Sequence, residues 1–118
     1  MAYIDYFVSP VPKSRLADYK KLAKQSAKIW KKYGALSYCE AIADDAKPGK
    51  LTSFPQSVQL KKNEVVACSY ITYKSKAHRD QVWKKIMKDP FMANYDMSKA
   101  PFDGKRMYFG GFKAVVAW

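Results

Sequence analysis

Four ionisable side chains fall inside stretches that are otherwise apolar: Asp5, Glu40, His78 and Arg79. Asp5 interrupts an alternating run in which Tyr3, Asp5 and Phe7 share one face and Ile4, Tyr6 and Val8 the other. Glu40 repeats the pattern, on a face with Leu36, Tyr38 and Ile42. A carboxyl group held against apolar surface is harder to ionise, which is how a protein makes a general base. The competing reading is a structural acid closed off by hydrogen bonds or by a cation. Arg79 falls inside the apolar stripe of a predicted helix and His78 at its margin. A guanidinium on a packed face needs a partner, and Asp5, Glu40 and Asp103 are the candidates. Arg79 or Arg106 could instead hold an anionic substrate. Asp5, Glu40, His78 and Arg79 are therefore the catalytic candidates, and Tyr38, Tyr70, Trp83, Arg106, Gly110 and Gly111 the ligand-contacting ones.

Several chemistries lack their residues. No nucleophilic triad is visible, and one histidine leaves little choice of proton shuttle. Cys39 and Cys68 form no CxxC and no Cys/His cluster, so neither zinc nor any cofactor is expected. Both cysteines fall in predicted strands and are expected to be reduced and buried. Asp44-Asp45 lacks the further regularly spaced oxygens of a calcium loop. Lys105-Arg106 follows a glycine, but the upstream Gly and the trailing Ser/Thr of a phosphate loop are missing.

The elements that must position these groups can be read in order. Ala2 to Val8 is a strand, ended by Pro10 and Pro12. A helix runs from about Ser14 to Tyr33 and closes at Gly34. Leu16, Tyr19, Leu22, Ala23, Ala27, Ile29, Trp30 and Tyr33 form its buried side, opposite a lysine stripe. Ala35 to Ala43 is a second strand, and Ser57 to Leu60 a candidate short edge strand. Glu64 to Tyr73 is apolar enough for a central strand. Ser75 opens a second helix to about Lys88, with Val82, Trp83, Ile86 and Met87 as its stripe. Asp89-Pro90 begins a short turn or helix. Pro101 and Asp103-Gly104 form a turn feeding the strand Met107 to Phe112. Gly110-Gly111 inside that strand reads as a bulge, or as a floor left bare for a ligand.

The chain has 118 residues, the size of one domain (1–118), and a net charge of +12. Its cations are 19 Lys against 3 Arg. Nucleic-acid readers lean on Arg for bidentate contacts, and no aromatics interleave the lysines of the first helix. A nucleic-acid partner is therefore ranked last. No signal peptide or membrane-length apolar run is present, and the expected location is the cytoplasm.

The order strand, helix, strand, strand, helix, strand is the ferredoxin-like βαββαβ pattern. This α+β class has a four-stranded antiparallel sheet with two helices on one face. The other face would then carry Tyr, Phe, Ile and Val, and a second copy is its simplest cover.

Tyr3-Ile4-Asp5, Gly34-Ala35-Leu36 with Glu40, Pro48-Gly49-Lys50 with Thr52 and Phe54, and Ser75 with Arg79-Asp80 make a specific set. With Asp89-Pro90 and the segment Pro101 to Phe112, the chain resembles the YbaA-like family, a bacterial domain of unknown function, along nearly its full length. The resemblance implies a dimeric α/β barrel and no established activity. The wider dimeric-barrel superfamily includes cofactor-independent oxygenases, isomerases and haem-handling enzymes. The chain departs from the family pattern at Tyr6, Tyr70 and Phe91, where glycine, tryptophan and a basic residue are usual. Two functions follow: a non-catalytic or small-molecule-binding homodimer, or a cofactor-independent enzyme of oxygenase or isomerase type acting on a small apolar substrate, anionic or neutral.

Overall fold

The computed structural model describes residues 2–118. Its frame is an open antiparallel sheet of β1 (Tyr3–Pro12), β2 (Ser37–Ile42), β3 (Glu64–Tyr73) and β4 (Tyr108–Lys113), in the order β2-β3-β1-β4. Two long helices, α1 (Leu16–Lys32) and α3 (Lys76–Met87), cover one face. Trp30 of α1 and Val82 and Ile86 of α3 pack there on Ile71 and Tyr73 of β3. Two single-turn helices, α2 (Phe54–Ser57) and α4 (Pro90–Ala93), sit in the connections. Gly34 ends α1 with φ +107°, a conformation in which a side chain would be strained.

Strand register sets what faces the helices. Glu40 pairs with Ser69, Ser69 with Phe7, and Phe7 with Phe109, so these four residues form one row across the sheet. The next row is Tyr38, Ile71, Asp5 and Gly111. Side chains alternate across the pleat, so both rows lie on the helix-covered face.

The structure departs from the sequence expectations at several points. β1 runs through Pro10 and Pro12 instead of stopping before them. Both prolines lie beyond the end of β4, which pairs only with Tyr3 to Val8. The Pro10 carbonyl accepts from the Asp103 N–H on that open side, so the missing Pro10 N–H interrupts no ladder bond to β3. Ser57 to Leu60 does not form an edge strand. The Ser53 hydroxyl caps the Gln56 N–H, Pro55 sits in the first turn, and Val58 is buried with Val8 and Val66. β4 contains no bulge: Gly110 and Gly111 pair in unbroken register with Tyr6 and Asp5. Met87 points outward at 62% exposure rather than joining the packed stripe of α3. Cys39 and Cys68 are free thiols but only half-buried.

Candidate functional site

The two in-strand carboxylates have unlike surroundings. Asp5 is fully buried. Arg79 Nε donates to Asp5 Oδ1 at 3.0 Å and Oδ2 at 3.2 Å, and Trp83 Nε1 donates to Oδ2 at 2.8 Å. The guanidinium also donates to Asp80 at 2.8 Å and lies 5.3 Å from the centre of the Tyr3 ring. This explains one glycine. A Cβ on Gly111 would run into the Tyr3 ring and the Arg79 guanidinium, whereas one on Gly110 would meet only Phe112 at 3.8 Å. His78 stands apart from the pair. Its Nδ1 accepts from the Lys74 N–H at 3.0 Å, and its ring meets Tyr73 edge-on.

Glu40 faces a cavity of about 240 Å³ between the sheet and α1. Tyr19 of α1 donates to Glu40 Oε2 at 2.5 Å, and Tyr38, two residues away on the same strand face, donates to Oε1 at 2.8 Å. Among the described residues no lysine, arginine or histidine lines this chamber, and Glu40 is the only charged side chain there. Burial pushes the Glu40 carboxyl up from its ordinary range, and the two hydroxyl donors only partly oppose that. Burial also pushes both phenols up, with the Glu40 charge adding to the effect, so they remain donors. The floor is the row Glu40, Ser69, Phe7 and Phe109. The Phe7 and Phe109 rings stack at 5.4 Å between centroids. Trp30 and Trp83 close one end, in edge-to-face contact at 5.3 Å, and Met92, Met97 and Met107 close another side. The void exists because Ser9 and Ser69 on the floor and Ala23 and Ser26 on the roof are small where large apolar residues would fill a core.

Arg106 lies elsewhere. Its guanidinium forks onto Glu64, at 2.6 and 2.8 Å, and donates to Asp103 at 2.8 Å and to the Val58 and Gln59 carbonyls. It ties the connection before β3 to the turn before β4. The Arg106 guanidinium holds the Glu64 and Asp103 carboxyls below their usual range.

The profile of a protein family described as "Protein of unknown function (DUF1428)" matches residues 2–104. The chain belongs to this family. It is 41% identical over 116 residues to the uncharacterized protein YbaA of Escherichia coli strain K12, covering 98% of each chain. The YbaA of Shigella flexneri matches to the same extent. Among solved structures it is similar to the de novo designed protein Foldit4, with a TM-score of 0.51 and 10% identity, covering 97% of this chain and 99% of that one. That likeness concerns the fold alone.

In this DUF1428 chain, Tyr38 and Trp83 line the Glu40 chamber, although the Trp83 N–H is engaged by Asp5. Tyr70 and Gly110 lie on the opposite sheet face, in an apolar recess that also holds Tyr6, Cys39, Phe54 and Phe112. The chamber residues that sequence reasoning did not single out include Tyr19, Ser69, Phe102 and Phe109. Tyr19 lies on the apolar side of α1, and Tyr38-x-Glu40 shares a strand face, so both signals were present. Only the fold joins them. Among the described residues no cluster of three or more His, Cys, Asp or Glu is placed to hold a metal, and no helix is long and apolar enough to cross a membrane.

Proposed function

We propose that the protein binds a small apolar molecule in the Glu40 chamber and works as a homodimer of ferredoxin-like subunits closed into an α/β barrel. One observation carries the binding reading: a half-buried carboxylate, held by two neutral hydroxyls and no cation, faces an unfilled apolar cavity. A purely structural acid needs no such recess, which side chains larger than Ser9, Ala23, Ser26 and Ser69 would fill.

The strand order and the helix-covered face support the ferredoxin-like reading. The bare face supports the dimer. Tyr6, Tyr70, Tyr108 and Phe112 are each 41–56% exposed there. Around them Ile4, Ser37, Cys39, Ala41, Thr72 and Gly110 are uncharged, Val8 is covered by Val58, and Glu64, farther along β3 on the same face, is paired to Arg106. In a chain of net charge +12, a neutral aromatic face is the surface on which two copies can meet without repulsion. Catalysis, the second reading, draws on the upward shift of the Glu40 carboxyl, the direction a general base requires.

Native mass spectrometry of freshly purified protein tests both parts. The expected spectrum shows the dimer mass with a retained small molecule, which a Ser69→Leu variant loses while remaining dimeric. A monomer at high concentration would overturn the barrel. Identical retention by the Ser69→Leu variant would overturn the chamber.

A further inference from the structure

Resting on the reading of the chamber as a binding site, we infer the class of its ligand: a neutral or cationic aromatic of one or two rings bearing a hydrogen-bond donor. A phenol or an arylamine fits, and an aryl carboxylate does not.

Charge decides the sign. The chain carries 22 Lys and Arg, yet none lines the chamber. Arg79, the α3 cation that reaches Asp5 on the neighbouring row of the sheet, is held by Asp5 and Asp80. An anion entering would lose its water, meet Glu40 and find no countercharge, which is a heavy penalty in a low-dielectric site. A donor meets the opposite situation. A carboxylate has about four lone-pair sites. Each Glu40 oxygen accepts one tyrosine hydroxyl, which leaves acceptor capacity for a ligand O–H or N–H.

The floor gives the orientation. Across one row, Glu40 and Ser69 are polar and Phe7 and Phe109 are aromatic. A ligand with its donor at Glu40 therefore lays its ring toward the stacked phenylalanines, where offset or edge-on ring contacts are favourable. Met92, Met97 and Met107 in the lining supply adaptable apolar contacts that accept rings of different outline. Size agrees. An apolar cavity of roughly 150 Å³ holds benzene, and this one is about 240 Å³.

The test uses four probes of one shape, 4-methylphenol, 4-methylaniline, toluene and 4-methylbenzoate, titrated into the full chain at pH 7.5. Shifts of the Trp30 and Trp83 indole N–H resonances report the chamber. The expected order places 4-methylphenol and 4-methylaniline at least about tenfold tighter than 4-methylbenzoate, with toluene between. In Glu40→Gln the preference for 4-methylphenol over 4-methylbenzoate falls to about threefold or less. A 4-methylbenzoate affinity equal to or above that of 4-methylphenol, with the indoles shifting, overturns the ligand class and leaves the chamber standing. If no probe moves the indoles, the chamber itself is not a site and the class falls with it.

Discussion

Asp5 and Glu40 are both acids in the middle of a strand, on the same face of one sheet, under the same pair of helices. Asp5 has a cation and an indole N–H on its oxygens and is fully buried. Glu40 has two phenols on its oxygens and a cavity in front of it. The difference comes from neighbours on other elements. α3 brings Arg79 and Trp83 over Asp5, while α1 brings Tyr19, Ala23 and Ser26 over Glu40. One acid became a structural fastening and the other the wall of a chamber.

The largest expected effect lies at the fastening. Asp5→Ala leaves the Trp83 N–H without its partner and the Arg79 charge with Asp80 alone. Removing one half of a buried pair costs about 3–5 kcal/mol. The Arg79 side chain is 23% exposed, which places the loss near the lower end of that range. Thermal unfolding should fall by roughly 10 °C for a chain of this size. A change of only a degree or two would mean that Asp5 is not what holds α3 to the sheet.

Gly111→Ala attacks the same fastening from below. Its new methyl displaces the Tyr3 ring and Arg79, and overpacking of this kind costs about 1–3 kcal/mol. Gly110→Ala, one residue away on the open face, serves as the control and should be close to neutral. Equal effects at the two positions would contradict the close approach at Gly111.

At the chamber, Tyr19→Phe removes a hydrogen bond to a charged group, worth about 1.5 kcal/mol in urea unfolding. The remaining oxygen site opens onto the cavity, so the loss should be smaller than at Asp5. A larger loss than at Asp5 would reverse the comparison.

The smallest effect separates the two kinds of carboxyl by pH. The folded chain holds the Glu40 proton more tightly than the unfolded chain does. Its contribution therefore favours folding below the ordinary glutamate range and is lost as pH rises through the raised value. Glu64 and Asp103, held down by Arg106, act in the opposite direction, contributing above the ordinary range and fading as pH falls through their lowered values. Glu40→Gln should thus change stability at neutral pH by no more than about 1 kcal/mol, in the stabilising direction once its desolvation is removed. It should also flatten the stability curve from pH 4.5 upward and leave the acid limb intact. Denaturant unfolding across pH 3–8 checks both limbs.

Much of this arrangement was legible in the residues. The alternation of Tyr3 to Val8 and of Leu36 to Ile42 placed both acids on their faces, and the apolar stripe of α3 showed that Arg79 needed a partner. What stayed hidden depends on distant chain segments meeting. Pro10 and Pro12 look like strand breakers until β4 is seen to stop short of them. Gly110-Gly111 looks like a bulge until Arg79 is seen above Gly111. The chamber depends on Ser9, Ala23, Ser26 and Ser69, small residues on three elements that no local pattern connects.

The contrast between the two acids is tested most directly at the Glu40 carboxyl carbon, followed by 13C NMR through a pH titration of the full chain. If Glu40 faces an apolar chamber, its midpoint lies above the ordinary glutamate value of 4.5 and its resonance moves when 4-methylphenol is added. A midpoint at or below 4.5, with a resonance indifferent to the phenol, would show a solvated or ion-paired acid and no chamber site.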